Sequence, residues 1–174
     1  MTKEWEKPED LRRRKPVLWL TMTALFMAMV VVLSMSALSI PVPGGHLYFN
    51  DVVIDTAAML MDPLSAFIAC GVGAFLGDLL FYPAPMFVSL ITHGLQALVI
   101  SLLCRKDQPL LALLSFLLAE AVMVLGYFLL EWALYGVASA AAAIGPNVVQ
   151  GIAGVLIGML CLLITPRLER VAKV

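Results

Sequence analysis

Asp78, Glu120 and Glu131 are carboxylates set inside long apolar runs. A charged group facing lipid at mid-bilayer costs on the order of 2–3 kcal/mol or more, so each is expected to face a bundle interior or a wet cavity. Glu120, Tyr127 and Glu131 are spaced seven and four, which puts them on one face of a helix. Ser89, His93 and Gln96, spaced four and three, share a face of a second, and Asn147, Gln150 and Gly154 do so on a third. Asp78 comes from a fourth. Acids, amides, an imidazole and a phenol converging in this way make a site for a polar small molecule. The bland alternative is that they bond one another and fix helix packing, worth about 0.6–2 kcal/mol per pair. Asn50 and Asp51 carry a similar choice: they belong to the site, or they cap the helix that follows them.

The candidate set holds carboxylates and no Lys or Arg, which favours a cationic or amine-bearing ligand over an anionic one. Catalysis is not indicated. HExxH, GxSxG, Walker A, GxGxxG and DxD patterns are all missing, and His93 has no evident nucleophile beside it. The chain is therefore read as a non-enzyme that binds no cofactor itself, and any ATP-driven step must come from other chains. Cys70, Cys104 and Cys161 lie in apolar stretches without CxxC or Cys/His spacing and are expected to be small buried residues, not metal ligands or disulfides.

The elements that must position these groups are membrane helices. With 62% hydrophobic and 13% charged residues and a mean hydropathy of +0.99, the chain needs the bilayer as its main solvent. At about 20 residues per span, 174 residues leave room for a single domain of five or six crossings. All 11 Lys and Arg lie in three clusters, Lys3 to Lys15, Arg105 with Lys106, and Arg167 to Lys173. The excess of positive charge on cytoplasmic loops places all three clusters inside, which requires six spans. The expected helices cover residues 17–38, a short 51–61, 64–81, 86–104, 109–134 and 146–165. Asp62-Pro63 reads as a cap followed by Pro at the first helical position. The outer side then consists of loops 39–50, 82–85 and 135–145, with His46, Tyr48, Phe49, Tyr82, Trp132 and Tyr135 at or near them. The fold class is an all-α membrane protein, a six-transmembrane-helix bundle with both termini cytoplasmic. Its parts are a basic segment 1–16, a membrane domain 17–166 and a basic tail 167–174. The first apolar run exceeds 20 residues and has no small-x-small cleavage site before Ile40-Pro41-Val42-Pro43, so it is kept as a span rather than a signal peptide.

Small-xxx-small pairs, Ala24 with Ala28, Gly73 with Gly77 and Gly154 with Gly158, mark close helix contacts. The first span has no acid, base or amide between Val17 and Ala37, so it suits docking to a partner better than lining a pocket.

Gly45-His46-Leu47-Tyr48-Phe49-Asn50-Asp51, Asp62-Pro63, Gly71-Val72-Gly73-Ala74-Phe75-Leu76-Gly77-Asp78, Tyr82-Pro83-Ala84-Pro85 and Pro146-Asn147 with Gln150 together resemble the substrate-binding S components of energy-coupling factor (ECF) vitamin importers. The likeness spans essentially the whole chain and is nearest to the riboflavin, hydroxymethylpyrimidine and pyridoxine-type group. His93 stands where many of that group carry Lys or another polar residue, which leaves the substrate class open. The resemblance implies capture of a micronutrient near the outer end of the bundle, with pocket residues Asp78, His93, Glu120, Tyr127, Glu131, Asn147 and Gln150 and a lid from His46 to Asp51 that includes Asn50. It also implies docking through Ala24 and Ala28 to an ECF transmembrane subunit with two ATPase subunits, in a bacterial plasma membrane. Charge suits hydroxymethylpyrimidine, a vitamin B6 form or a queuosine precursor. A small proton-coupled carrier and a non-transporting membrane scaffold are the alternatives.

Overall fold

The computed structural model describes residues 12–35, 40–42 and 45–171. Helix α1 (Pro16–Leu33) leads to a short antiparallel ribbon, β1 (Ile40–Val42) with β2 (Gly45–Leu47), in which Pro41 faces His46 in register. There follow α2 (Asn50–Leu60), α3 (Pro63–Phe81), α4 (Met86–Leu103), α5 (Pro109–Tyr135) and α6 (Val137–Val171). The ribbon is a small β element inside what the sequence presents as all-α. Five helices, all but α2, are long and apolar enough to cross a membrane among the described residues. Large apolar side chains such as Val17, Leu80, Leu110 and Leu156 are more than 60% exposed, as expected where lipid replaces water around the bundle.

Local chemistry sets the breaks. Pro16, Pro63 and Pro109 start helices, where a missing N–H leaves no bond unmade. Asp62 caps α3 as expected, its side chain accepting from the backbone N–H of Leu64 and Ser65. The same carboxylate accepts from the Ser65 hydroxyl and, at 2.5 Å, from Trp19 Nε1, tying the start of α1 to the α2–α3 turn. Replacing Asp62 by Ala removes all four bonds. A cap and two further hydrogen bonds amount to about 2–3 kcal/mol, so thermal melting of the purified D62A protein should show a clear loss of stability.

Two boundaries differ from expectation. Residues 137–145, expected in an outer loop, are helical, and α6 runs through Pro146 instead of starting there. The run Ala140-Ala141-Ala142-Ala143 has the highest helix propensity, and a Pro is tolerated within a membrane helix whose neighbours compensate. The actual break is Gly136, whose φ of +89° favours glycine. At its other end α6 continues through Arg167 and Arg170 to Val171. In α3, residues Ile68–Val72 are wound as one π-helical turn. Of the first span's expected residues, 36–38 lie outside those described.

Trp19 on Asp62 and the Ser101 hydroxyl on the Met61 carbonyl define one end of the bundle, and Tyr135 Oη on the Ala84 carbonyl defines the other. Starting at the first end, α2 rises only about 16 Å for its 11 residues. Its N-terminus is therefore sunk in the middle of the bundle, with Asn50, Asp51 and Asp55 buried among α4, α5 and α6. Glycines let the helices close on them. A Cβ on Gly71 would meet the Leu90 carbonyl oxygen at 2.8 Å, one on Gly73 would meet Val30 at 3.0 Å, and one on Gly158 would meet the Phe116 ring at 3.1 Å.

Candidate functional site

A continuous polar network fills the centre of this apolar bundle. On its upper side Ser89 donates to Asp78 Oδ2, the Ser89 and Tyr127 hydroxyls are 2.6 Å apart, and Tyr127 Oη is 3.2 Å from His93 Nε2. Below, His93 Nδ1 is 2.8 Å from Gln96 Oε1 and 3.4 Å from Asp51 Oδ1. Gln96 Nε2 then donates to Glu120 Oε1 at 2.9 Å and to Asp55 Oδ1 at 3.4 Å. From α6, Gln150 accepts from the Tyr48 backbone N–H at 3.0 Å and donates to Asn50 Oδ1 at 3.3 Å. The segment after the ribbon is thus clamped onto α6 by Gln150.

Hydrogen-bond direction constrains protonation. Gln96 gives its amide N–H groups to carboxylates, so its Oε1 is an acceptor and His93 Nδ1 must carry a proton. Ser89 and Tyr127 thus form a hydrogen-bonded relay of three contacts from Asp78 to the His93 ring.

Asp51, Asp55 and Glu120 are at most 7% exposed, and no Lys or Arg is buried among the described residues. Both oxygens of Asp51, Asp55 Oδ2 and Glu120 Oε2 accept no hydrogen bond. An unpaired buried carboxylate is costly, so the cluster is built to hold positive charge, as protons or as a ligand's cation. No group of His, Cys, Asp and Glu among the described residues is arranged to hold a metal ion.

The network unites Asp78, His93, Glu120, Tyr127, Gln150, Asn50 and Asp51. Asn50 and Asp51 do not cap α2, since its N-cap is Phe49 without a side-chain bond. Glu131 is buried but lies apart from the network, and Asn147 is half-buried with no hydrogen bond to it. Asp55 escaped the sequence reading, although it stands one helical turn after Asp51. Ser89 and Gln96, on the same face of α4 as His93, join the network as well. A second feature, an open groove of about 620 Å³ between α5 and α6, is walled by Leu125, Phe128, Ile152 and Leu156 and meets the polar network only at Glu120. Its apolar lining suits lipid rather than a polar ligand. Ala24 and Ala28 are exposed on the side of α1 opposite Thr23, Phe26 and Val30, which pack inward.

Comparison with known proteins shows the family. The family profile for the ECF-type riboflavin transporter, S component, matches residues 16–166. The chain belongs to that family. It is a substrate-binding S component of an ECF-type importer, a multi-pass cell-membrane protein and not an enzyme. The S component is 37% identical over 164 residues to the thiamine precursor transporter HmpT of Lactococcus lactis, covering 92% of this chain and 93% of the relative. It is also 32% identical over 132 residues to an uncharacterized protein of Pyrococcus woesei, covering 75% of this chain and 89% of that one. S components work with an ECF transmembrane subunit and ATPases.

Proposed function

We propose that this S component captures an amine-bearing heterocyclic micronutrient of the aminopyrimidine or vitamin B6 kind for ATP-driven uptake. The observation that carries this is the buried set Asp51, Asp55, Asp78 and Glu120 with no buried Lys or Arg among the described residues. An anionic vitamin would add charge of the same sign to an already acidic, dry site. A relative named as a thiamine precursor transporter supports the aminopyrimidine class. Asp78, His93, Glu120, Tyr127, Gln150, Asn50 and Asp51 line the site, and the lid is the segment from His46 to Asp51.

In the proposed topology α2 completes a six-helix bundle with both termini, Arg105 and Lys106 on the cytoplasmic side. The exposed Ala24 and Ala28 receive the ECF transmembrane subunit, and ATP is used by two ATPase subunits while this chain holds no cofactor. The test is mass spectrometry of small molecules released from protein purified gently after growth in rich medium. One amine-bearing heterocycle per chain is the expected result. A dianionic vitamin at that stoichiometry overturns the substrate class, and a reproducibly empty protein counts against capture at this site.

A further inference from the structure

We infer that Asp55 and Glu120 form a two-carboxylate exchange site, which holds one proton when empty and the positive group of the ligand when occupied. The two carboxyls lie within hydrogen-bonding reach of each other. They share the Gln96 Nε2 donor, and both flank the bare Cα of Gly154, where a Cβ would stand 3.1 Å from Asp55 Oδ2 and 3.1 Å from Glu120 Oε1. Two carboxyls meeting in a dry interior cannot both be ionised without a cation between them, so a proton occupies the pair in the empty protein. Each also keeps one buried oxygen that accepts no hydrogen bond, which is an acceptor left for a ligand's N–H groups.

Among the described residues no competing cation lies at the pair. From α2 comes Asp51, from α3 Cys70 and the more distant Asp78, from α4 His93, and from α5 Tyr127, while α6 presents only glycine. His93, the one basic group there among the described residues, lies against Asp51 and has both ring nitrogens engaged. Charge balance then dictates the exchange. A ligand that is already a cation expels the shared proton to solvent. A neutral aminopyrimidine takes that proton on its ring nitrogen and binds as the cation, with none released. Asp55 is thereby a specificity-determining residue that rejects heterocycles unable to carry positive charge.

This rests on the proposed capture of an amine-bearing heterocycle, and the test separates the two. Binding of thiamine, pyridoxamine, hydroxymethylpyrimidine and riboflavin to the full-length purified protein is measured calorimetrically from pH 6 to 8 in buffers of different ionisation enthalpy. The expected result is release of about one proton with a cationic probe, so that its Kd falls about tenfold per pH unit. For the aminopyrimidine, no release and the absorbance of the protonated ring at pH 8 are expected. Asp55→Asn, which keeps the size of the side chain, should abolish the release and weaken the cations at least about tenfold, and Asp55→Glu should restore both. If a cation or the aminopyrimidine binds with neither proton signature, or if D55N leaves both unchanged in a protein that melts normally, the exchange site is overturned while capture stands. Tight binding of riboflavin alone, or of no probe, overturns the substrate class and the exchange site with it.

Discussion

Gly154→Val is expected to remove ligand binding and to lower the melting temperature of the purified protein by about 6–12 °C, corresponding to roughly 3 kcal/mol of overpacking. The first carbon alone would lie 3.0 Å from Asp51 Cβ and 3.1 Å from both Asp55 Oδ2 and Glu120 Oε1. These neighbours are short side chains already held by Gln96 and by the packing of α2, so α6 must move away. That motion pulls Gln150 from the Tyr48 N–H and Asn50, opening the clamp on the segment after the ribbon. Gly145→Val is the control in the same helix: nothing lies within 4 Å of its Cβ position, and melting and binding should stay near the parent values. Equal behaviour of the two variants would remove the close α2–α6 approach from the account. Thermal melting and equilibrium binding on the same preparations decide it.

The double substitution Ala24→Phe with Ala28→Phe is expected to act in the opposite way. Both alanines are exposed while α1 packs inward through Thr23, Phe26 and Val30, so stability should change by no more than about 0.5 kcal/mol and ligand binding should be intact. Uptake by cells should nevertheless fall at least about a hundredfold, because two bulky groups prevent the close backbone approach that small residues allow between membrane helices. Recovery of the partner subunits with the purified variant should fall in parallel. Normal uptake would show that the transmembrane subunit docks elsewhere.

Much of the site could be read from periodicity. Spacings of three, four and seven placed Ser89, His93 and Gln96 on one face of α4 and Glu120, Tyr127 and Glu131 on one face of α5, and all six are buried. Asp55 was lost because α2 reads as a short apolar stretch whose polar start invites a capping role. Nothing local announces that a helix of 11 residues ends halfway up a bundle. The loop expected at 135–145 is helix from Val137 onward. Gly145-Pro146 looks like a break in water, but inside a membrane bundle the propensity of four consecutive alanines prevails and Gly136 is where the chain turns.

By itself, then, the sequence determined the solvent, the helices and the faces that carry polar groups, since each follows from hydropathy and from the 3.6-residue period along one element. Which polar groups meet was decided only in three dimensions. Asp55 with Glu120 and His93 with Asp51 are pairs from different helices at matching depth. That depth depends on where Asp62 anchors α2 to α1 and on how closely the glycines of α6 let it approach. Neither quantity is carried by the spacing of residues along a single helix, because both are properties of how separate helices pack.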